Sequence, residues 1–174
     1  LNASCVYTVV VPAMFGIVQL QSIRAAAFMA GISVSTVGSP QAAALAYLEK
    51  HASSFRGWKK HVLVFDLGAG STSAAVMLID DGVVEVKSLA GNLEVGGADF
   101  DTRLMRHVIA DFSKRLPGSN MFASPRGLYN LRLACEQTKC MLSAAVETNI
   151  TIDWLHDGDP IYLKINRSTF EDLC

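Results

Sequence analysis

Asp66, Gly68, Gly70, Ser71 and Thr72 follow directly on the apolar run Val62-Leu63-Val64-Phe65. An aspartate at a strand end, then a turn of small residues and hydroxyls, suits close approach to a phosphate. Glycines open backbone conformations that other residues avoid, and they keep side chains out of a ligand's way. The two hydroxyls can donate to phosphate oxygens, and the carboxylate can hold a metal ion or its waters. The same residues also suit an ordinary hairpin with a glycine turn, in which Asp66 satisfies turn amides. A short glycine motif does not decide between these readings.

A second constellation lies farther on. Glu136, Lys139 and Ser143 stand at i, i+3 and i+7, which puts them on one face of a helix. Alone they read as a solvated polar face with a Glu–Lys pair worth tenths of a kcal/mol. Gly96-Gly97 reads as a tight helix-entry turn. Cys5, Cys135, Cys140 and Cys174 fit no common zinc spacing. Buried or incidental thiols are their reading, since Cys135 and Cys140, five apart on a helix, are poorly placed for a disulfide. His51, His61, His107 and His156 are scattered and suggest no ligand set.

The elements that must carry these residues follow from periodicity. Val6 to Val11 reads as a strand ended by Pro12. Ile17 to Ala30 reads as a helix with Val18, Ala25, Phe28 and Met29 among its apolar positions and Gly31 as its stop. A short strand over 33–37 and a helix over 40–50 follow, then a polar connector over 51–60. Strands over 61–67 and 71–79 flank the glycine turn, and Asp80-Asp81-Gly82 predicts a hairpin into a strand over 83–90. Phe100, Leu104, Val108, Ile109, Phe112 and Leu116 recur at helical spacing over 98–116. After a loop over 117–125, a helix over 126–146 carries Leu128, Leu131, Cys135 and Leu142 on one stripe. Strands over 148–154 and 160–165 pair across His156-Asp157-Gly158-Asp159, and Ser168-x-x-Glu171 predicts a capping box for a last helix.

The bulk numbers exclude some classes. The chain has 174 residues, 51% hydrophobic and 18% charged, enough apolar material for a core and too much for disorder. A formal net charge of -1 argues against a nucleic-acid surface. The basic cluster Arg56-Gly57-Trp58-Lys59-Lys60 is short and reads as a solvated connector. No apolar run reaches the length needed to cross a bilayer, and residues 1–11 lack the features of a signal peptide. With no initiator Met, the chain reads as a piece of a longer protein.

Four blocks together are more specific than the glycine turn. They are Asp81-Gly82-Val83-Val84-Glu85-Val86-Lys87-Ser88-Leu89-Ala90-Gly91, Val95-Gly96-Gly97-Ala98-Asp99-Phe100-Asp101-Thr102-Arg103-Leu104, Leu131 to Ser143 with Cys135-Glu136-Gln137-Thr138-Lys139 at its centre, and Ile165 to Leu173. Val9-Val10-Val11-Pro12-Ala13 and Pro40-Gln41-Ala42-Ala43-Ala44 extend the pattern toward the start. In order and spacing the chain resembles the nucleotide-binding domain of the seventy-kilodalton heat-shock chaperone family. The resemblance implies an α/β, actin-like ATPase fold of the ribonuclease-H-like kind, mostly its second lobe. It divides the chain into a first-lobe strip over 1–55, a phosphate-binding core over 56–116 and an outer adenosine-contacting subdomain over 117–174.

The resemblance also implies ATP or ADP with Mg²⁺. Asp66 matches the aspartate associated with the metal and the attacking water. Gly68, Ala69, Gly70 and Ser71 match one of two phosphate hairpins, with Ala69 in place of a glycine, which narrows the approach. Gly96 and Gly97 match a turn at the nucleotide edge, and Glu136, Lys139 and Ser143 match adenosine contacts. Three positions depart from the family: Ser39 stands for a glutamate, Ser73 for a second aspartate, and Cys140 for an arginine that stacks on adenine. Weakened or absent hydrolysis with surviving binding is the expectation.

The Asp66-x-Gly-x-Gly-Ser-Thr turn looks like the divergent large branch, the hundred-and-ten and hundred-and-seventy-kilodalton classes, which serve as nucleotide-exchange factors and holdases. The implied partners are an orthodox heat-shock chaperone and unfolded clients, with no nucleic acid and no membrane. An orthodox ATPase chaperone and a pseudo-ATPase scaffold are the alternatives. Asn2-Ala3-Ser4, Asn149-Ile150-Thr151 and Asn166-Arg167-Ser168 are glycosylation acceptor patterns. They lean toward the endoplasmic-reticulum lumen, with the cytoplasm as the alternative.

Overall fold

Ser73, Ala75, Met77 and Ile79 are buried, while Val76 between them is exposed. A period of two lays such residues on one face of a strand. That strand, β4 (Thr72–Asp80), is the centre of an antiparallel sheet between β3 (Lys59–Leu67) and β5 (Val83–Asn92). In its register Asp66 of β3 stands opposite Ser73, and Ser73 opposite Gly91 of β5. Asp81 (φ 45°) and Gly82 (φ 87°) both take left-handed backbone, the two-residue hairpin turn that the Asp-Gly pair predicts.

The computed structural model describes residues 5–51, 59–115, 117–118, 124–152 and 161–174. Most of the expected connector over 51–60, Leu116, most of the loop over 117–125, the His156–Asp159 connection and the Asn2 acceptor pattern lie outside the described residues. The chain folds as two compact units, Leu1–Gly96 and Gly97–Cys174.

In the first unit, α2 (Ser39–Lys50) lies against the three-stranded sheet. It buries Pro40, Ala44 and Leu48, one helical stripe, and Ala44 packs with Ala75 and Met77. Pro40 sits in the first turn, where its missing N–H costs nothing. β1 (Tyr7–Val11) and β2 (Val34–Gly38) form a parallel pair joined by α1 (Ile17–Met29), whose exit passes through Gly31 at φ 77°. Three of the apolar positions of α1, Val18, Phe28 and Met29, are 76%, 81% and 88% exposed. The polar residues of α1 are spread round it, so no single polar face tells the helix which side to turn outward.

The second unit holds α3 (Gly97–Arg115), α4 (Pro125–Leu142), the antiparallel hairpin β6 (Glu147–Ile152) and β7 (Ile161–Asn166), and α5 (Arg167–Leu173). Its core joins Leu104, Met105 and Val108 of α3 to Leu131, Cys135 and Leu142 of α4 and to Ile150, Leu163 and Ile165 of the hairpin. Leu128, expected on that stripe, is 39% exposed, and Gly127 is buried instead. Helix α4 ends four residues short of the expected 146. There the Arg167 guanidinium donates at 2.9 Å to the carbonyls of both Leu142 and Ala145, holding the chain out of the helix. The expected capping box at Ser168 gives way to Asn166, whose Oδ1 accepts from the Thr169 amide at 2.7 Å. No helix among the described residues is long and apolar enough to cross a membrane.

Candidate functional site

The glycine turn of the first unit is closed by the Gly68 amide, which donates to the Ser71 carbonyl at 2.8 Å. Gly68 and Gly70 lie outside the left-handed region, so backbone freedom is not why glycine stands here. Space is the reason at Gly70: a Cβ there would meet nothing within 4 Å, so the outer side of the turn is open to a ligand. Gly96 works the other way. It is buried, and a Cβ on it would stand 2.5 Å from the Ala69 oxygen and 2.7 Å from the Gly70 nitrogen. The backbone at 96 is thus fitted directly beneath the turn. Thr72, one of the two hydroxyls expected to face phosphate, instead donates to the Val95 carbonyl at 2.7 Å and ties the same two segments together.

Asp66 ends the inward face of β3, and its Oδ2 accepts from Ser39 Oγ at 2.7 Å. Ser39 is the first residue of α2, so the carboxylate sits at the positive end of a helix. Residues directly opposite across an antiparallel pair share a face, which puts Ser73 beside Asp66. Ser73 is 5% exposed, and its Oγ is buried without a hydrogen-bond partner among the described residues. A buried hydroxyl left unpaired costs free energy and invites a ligand or water.

This set fits a phosphate group: an open turn, a carboxylate oxygen left for a cation or its waters, and an unpartnered hydroxyl. No group of three or more His, Cys, Asp or Glu suited to a metal ion occurs among the described residues. A cation here would therefore rely on Asp66 and on a phosphate itself.

In the second unit, Lys139 is not paired with Glu136. Its Nζ lies 2.8 Å from Asp101 Oδ1 and donates to the Gly97 carbonyl at 3.0 Å. The Asp101 side chain is only 8% exposed and Lys139 21%. At 2.8 Å the charges attract strongly, although Oδ1 is approached off the hydrogen-bond direction and stays formally unpaired in that sense. Glu136 and Ser143 are exposed, with Ser143 as the C-cap of α4 rather than within it. Cys140 is also exposed. Cys135 is fully buried, and burial, reinforced by the Asp101 charge, pushes its thiol up to about 12. Thr138, beside them on α4, has a buried hydroxyl without a partner among the described residues.

The structure therefore brings Asp66, Gly68, Ala69, Gly70, Ser71 and Gly96 together in one unit. Gly97 and Lys139 are joined in the other. Asp101 escaped sequence reasoning, yet it left a signal: it falls on the buried stripe with Leu104, Met105 and Val108, where a lone charge requires a partner. Arg167 left no local signal, because its partners Leu142 and Ala145 are distant in sequence.

The family model for Hsp70 protein matches residues 3–174. The chain is 42% identical over 168 residues to the Heat shock 70 kDa protein 2 of Paracoccidioides lutzii, covering 95% of this chain and 25% of that protein. It is 40% identical over 168 residues to the Heat shock 70 kDa protein of Penicillium citrinum, covering 95% and 32% respectively. It is 39% identical over 166 residues to a ribosome-associated molecular chaperone of Zygosaccharomyces rouxii, covering 95% and 27%. The chain thus spans between a quarter and a third of the length of these relatives. With the strand and helix order described above, the match gives the chain the α/β, actin-like ATPase fold. The chain belongs to the Hsp70 protein family.

Proposed function

We propose that the full-length protein containing this chain is an ATP-binding chaperone of the heat-shock type, or a nucleotide-exchange co-chaperone, in which hydrolysis is weakened or absent. The observation that carries this reading is the 2.7 Å hydrogen bond from Ser39 Oγ to Asp66. A serine hydroxyl there fixes the carboxylate but carries no charge and cannot hold an abstracted proton at neutral pH as a carboxylate can. A positioned acid or base contributes on the order of a hundredfold or more in rate. Binding relies on different features. The Gly68–Ser71 turn is open at Gly70, Asp66 keeps an oxygen for Mg²⁺ through water, and Gly96 shapes the turn's floor, with Gly97 next to it in the chain. Bound Mg²⁺ would neutralise phosphate charge. Glu136, Lys139 and Ser143 are the adenosine-facing residues in this reading, and Lys139 reaches a nucleotide only by sharing its charge with Asp101.

Family membership and the chaperone names of the relatives support the general activity. The finer assignment to the divergent large branch rests on the Asp66-to-Thr72 turn, and the lumenal compartment on the acceptor patterns at Asn2, Asn149 and Asn166. The division into 1–55, 56–116 and 117–174 is kept as the functional reading of the parts. An orthodox chaperone and unfolded clients are the proposed partners.

Single-turnover hydrolysis by the full-length protein, beside Ser39→Glu, Ser73→Asp and the double variant, tests the reading. Slow hydrolysis in the wild type with tight ATP binding, and a gain in the double variant larger than the singles predict, is the expected result. Rapid turnover by the wild type, unimproved by either restoration, favours an orthodox ATPase chaperone. Absence of ATP binding favours a scaffold.

A further inference from the structure

We propose that Asn149 on β6 carries an N-linked oligosaccharide whose first sugar lies against the exposed ring of Tyr162 on β7. The inference rests on the lumenal reading above. It names which acceptor pattern is used and what surface receives the glycan.

A strand with one face in a core turns every second side chain to water. Ile150 of β6 is buried, so Asn149 and Thr151 stand on the outward face, where both are exposed. The register puts Lys164 opposite Asn149 and Tyr162 opposite Thr151. Lys164 and Glu147 pair at 2.8 Å on the same face, each side chain more than half exposed. A face so rich in charged and amide groups belongs in water in a longer protein too. An N-glycosylation acceptor supplies an asparagine amide and a hydroxyl two residues on. Those of Asn149 and Thr151 make no hydrogen bond among the described residues. Asn166 is already engaged: its Oδ1 accepts from the Thr169 amide at 2.7 Å, and Arg167 after it is held by the Leu142 and Ala145 carbonyls. Tyr162 is the large apolar group on this polar face, 61% exposed. It stands diagonal to Asn149, within the reach of an aromatic side chain. A sugar ring presents one face of C–H groups, and a phenol ring offers that face a flat platform while its hydroxyl stays in water. In the transfer, Asn149 Nδ2 bonds to the anomeric carbon of an oligosaccharide carried on a lipid pyrophosphate. The bond from that carbon to the pyrophosphate oxygen breaks, the lipid pyrophosphate leaves with the electron pair, and Nδ2 gives up one proton.

The experiment uses the full-length protein expressed in eukaryotic cells. Protease protection in sealed microsomes reads the compartment, and peptide mass mapping after peptide-N-glycosidase treatment in heavy-oxygen water reads which asparagines carried a glycan. The expected result is a protected protein in which Asn149 is tagged, and tagged more fully than Asn166. A protected protein with Asn149 untagged overturns the inference and leaves the lumenal reading intact. An unprotected, untagged protein overturns both. Hydrogen exchange of the β6 and β7 peptides then tests the platform. The glycosylated protein should exchange there at least about twofold more slowly than Asn149→Gln, and Tyr162→Ala should erase the difference. Equal exchange in the glycosylated protein and Asn149→Gln overturns the role of Tyr162. Since occupancy is read on the wild type, it survives any variant that fails to fold.

Discussion

Two polar clusters in this chain are built on opposite plans. Around Asp66 the partners are hydroxyls: Ser39 donates at 2.7 Å, Ser73 waits unpaired among the described residues, and the turn beside them is open. Around Asp101 the partner is a full positive charge, Lys139 at 2.8 Å, itself tied to a backbone carbonyl. The first cluster has unused bonding capacity and open space. The second is closed by its own charges inside a packed core. A charged residue thus marks a candidate ligand contact only after its internal partners are counted. By that measure Lys139 is first a structural cation, and Asp66 is the group free to meet something from outside.

The comparison breaks most visibly at Lys139. Lys139→Met is expected to destabilise the protein by about 3 kcal/mol, because it strands the Asp101 charge in a buried site. Adding Asp101→Asn should recover at least half of that loss in urea denaturation. If the single and double variants unfold alike, the pair is not what closes the cluster.

A smaller effect is expected at the turn. Gly96→Ala places a methyl 2.5 Å from the Ala69 oxygen, where only backbone can yield. It should cost about 2 kcal/mol and loosen the turn, whereas Gly70→Ala, which meets nothing within 4 Å, should leave the melting temperature unchanged. Equal losses at both positions would show that the fit beneath the turn is unimportant.

The smallest effect separates two thiols on one helix. Cys135 is held protonated, with its pKa raised from 9.0 to about 12, so its contribution to stability is complete below 9.0 and fades as pH rises through about 12. Stability near neutrality should not respond to it. At about pH 8.5 iodoacetamide should modify the exposed Cys140 and spare Cys135 until denaturant is added, read by peptide mass mapping. Equal rates would mean that the core around Asp101 opens readily.

The strands and the glycine turn were legible in the sequence because their signals are local: period-two burial in β4, Asp-Gly at the hairpin, small residues between 68 and 71. The helical stripe of α3 was legible for the same reason, with Leu104, Val108 and Phe112 buried as its spacing predicts. What escaped depends on contacts between distant residues. Ser39 and Asp66 are 27 positions apart, and nothing near either one announces their bond. Arg167 shortens α4 from a position 25 residues beyond Leu142. The existence of helix α1 was legible but its exposure was not, since Gln19, Gln21, Ser22 and Arg24 are spread round it and mark no single outward face.

Exposure of Phe28 and Met29 on α1, and of Leu63 and Phe65 at 66% and 65% on β3, bears on how this chain behaves in bulk solution. Apolar patches of that kind associate with one another, and encounters between copies multiply with the square of concentration. Colloidal behaviour therefore sets a limit that conformational stability does not. The same apolar surface is presented at every concentration, but only in a concentrated sample do copies meet often enough for it to join them.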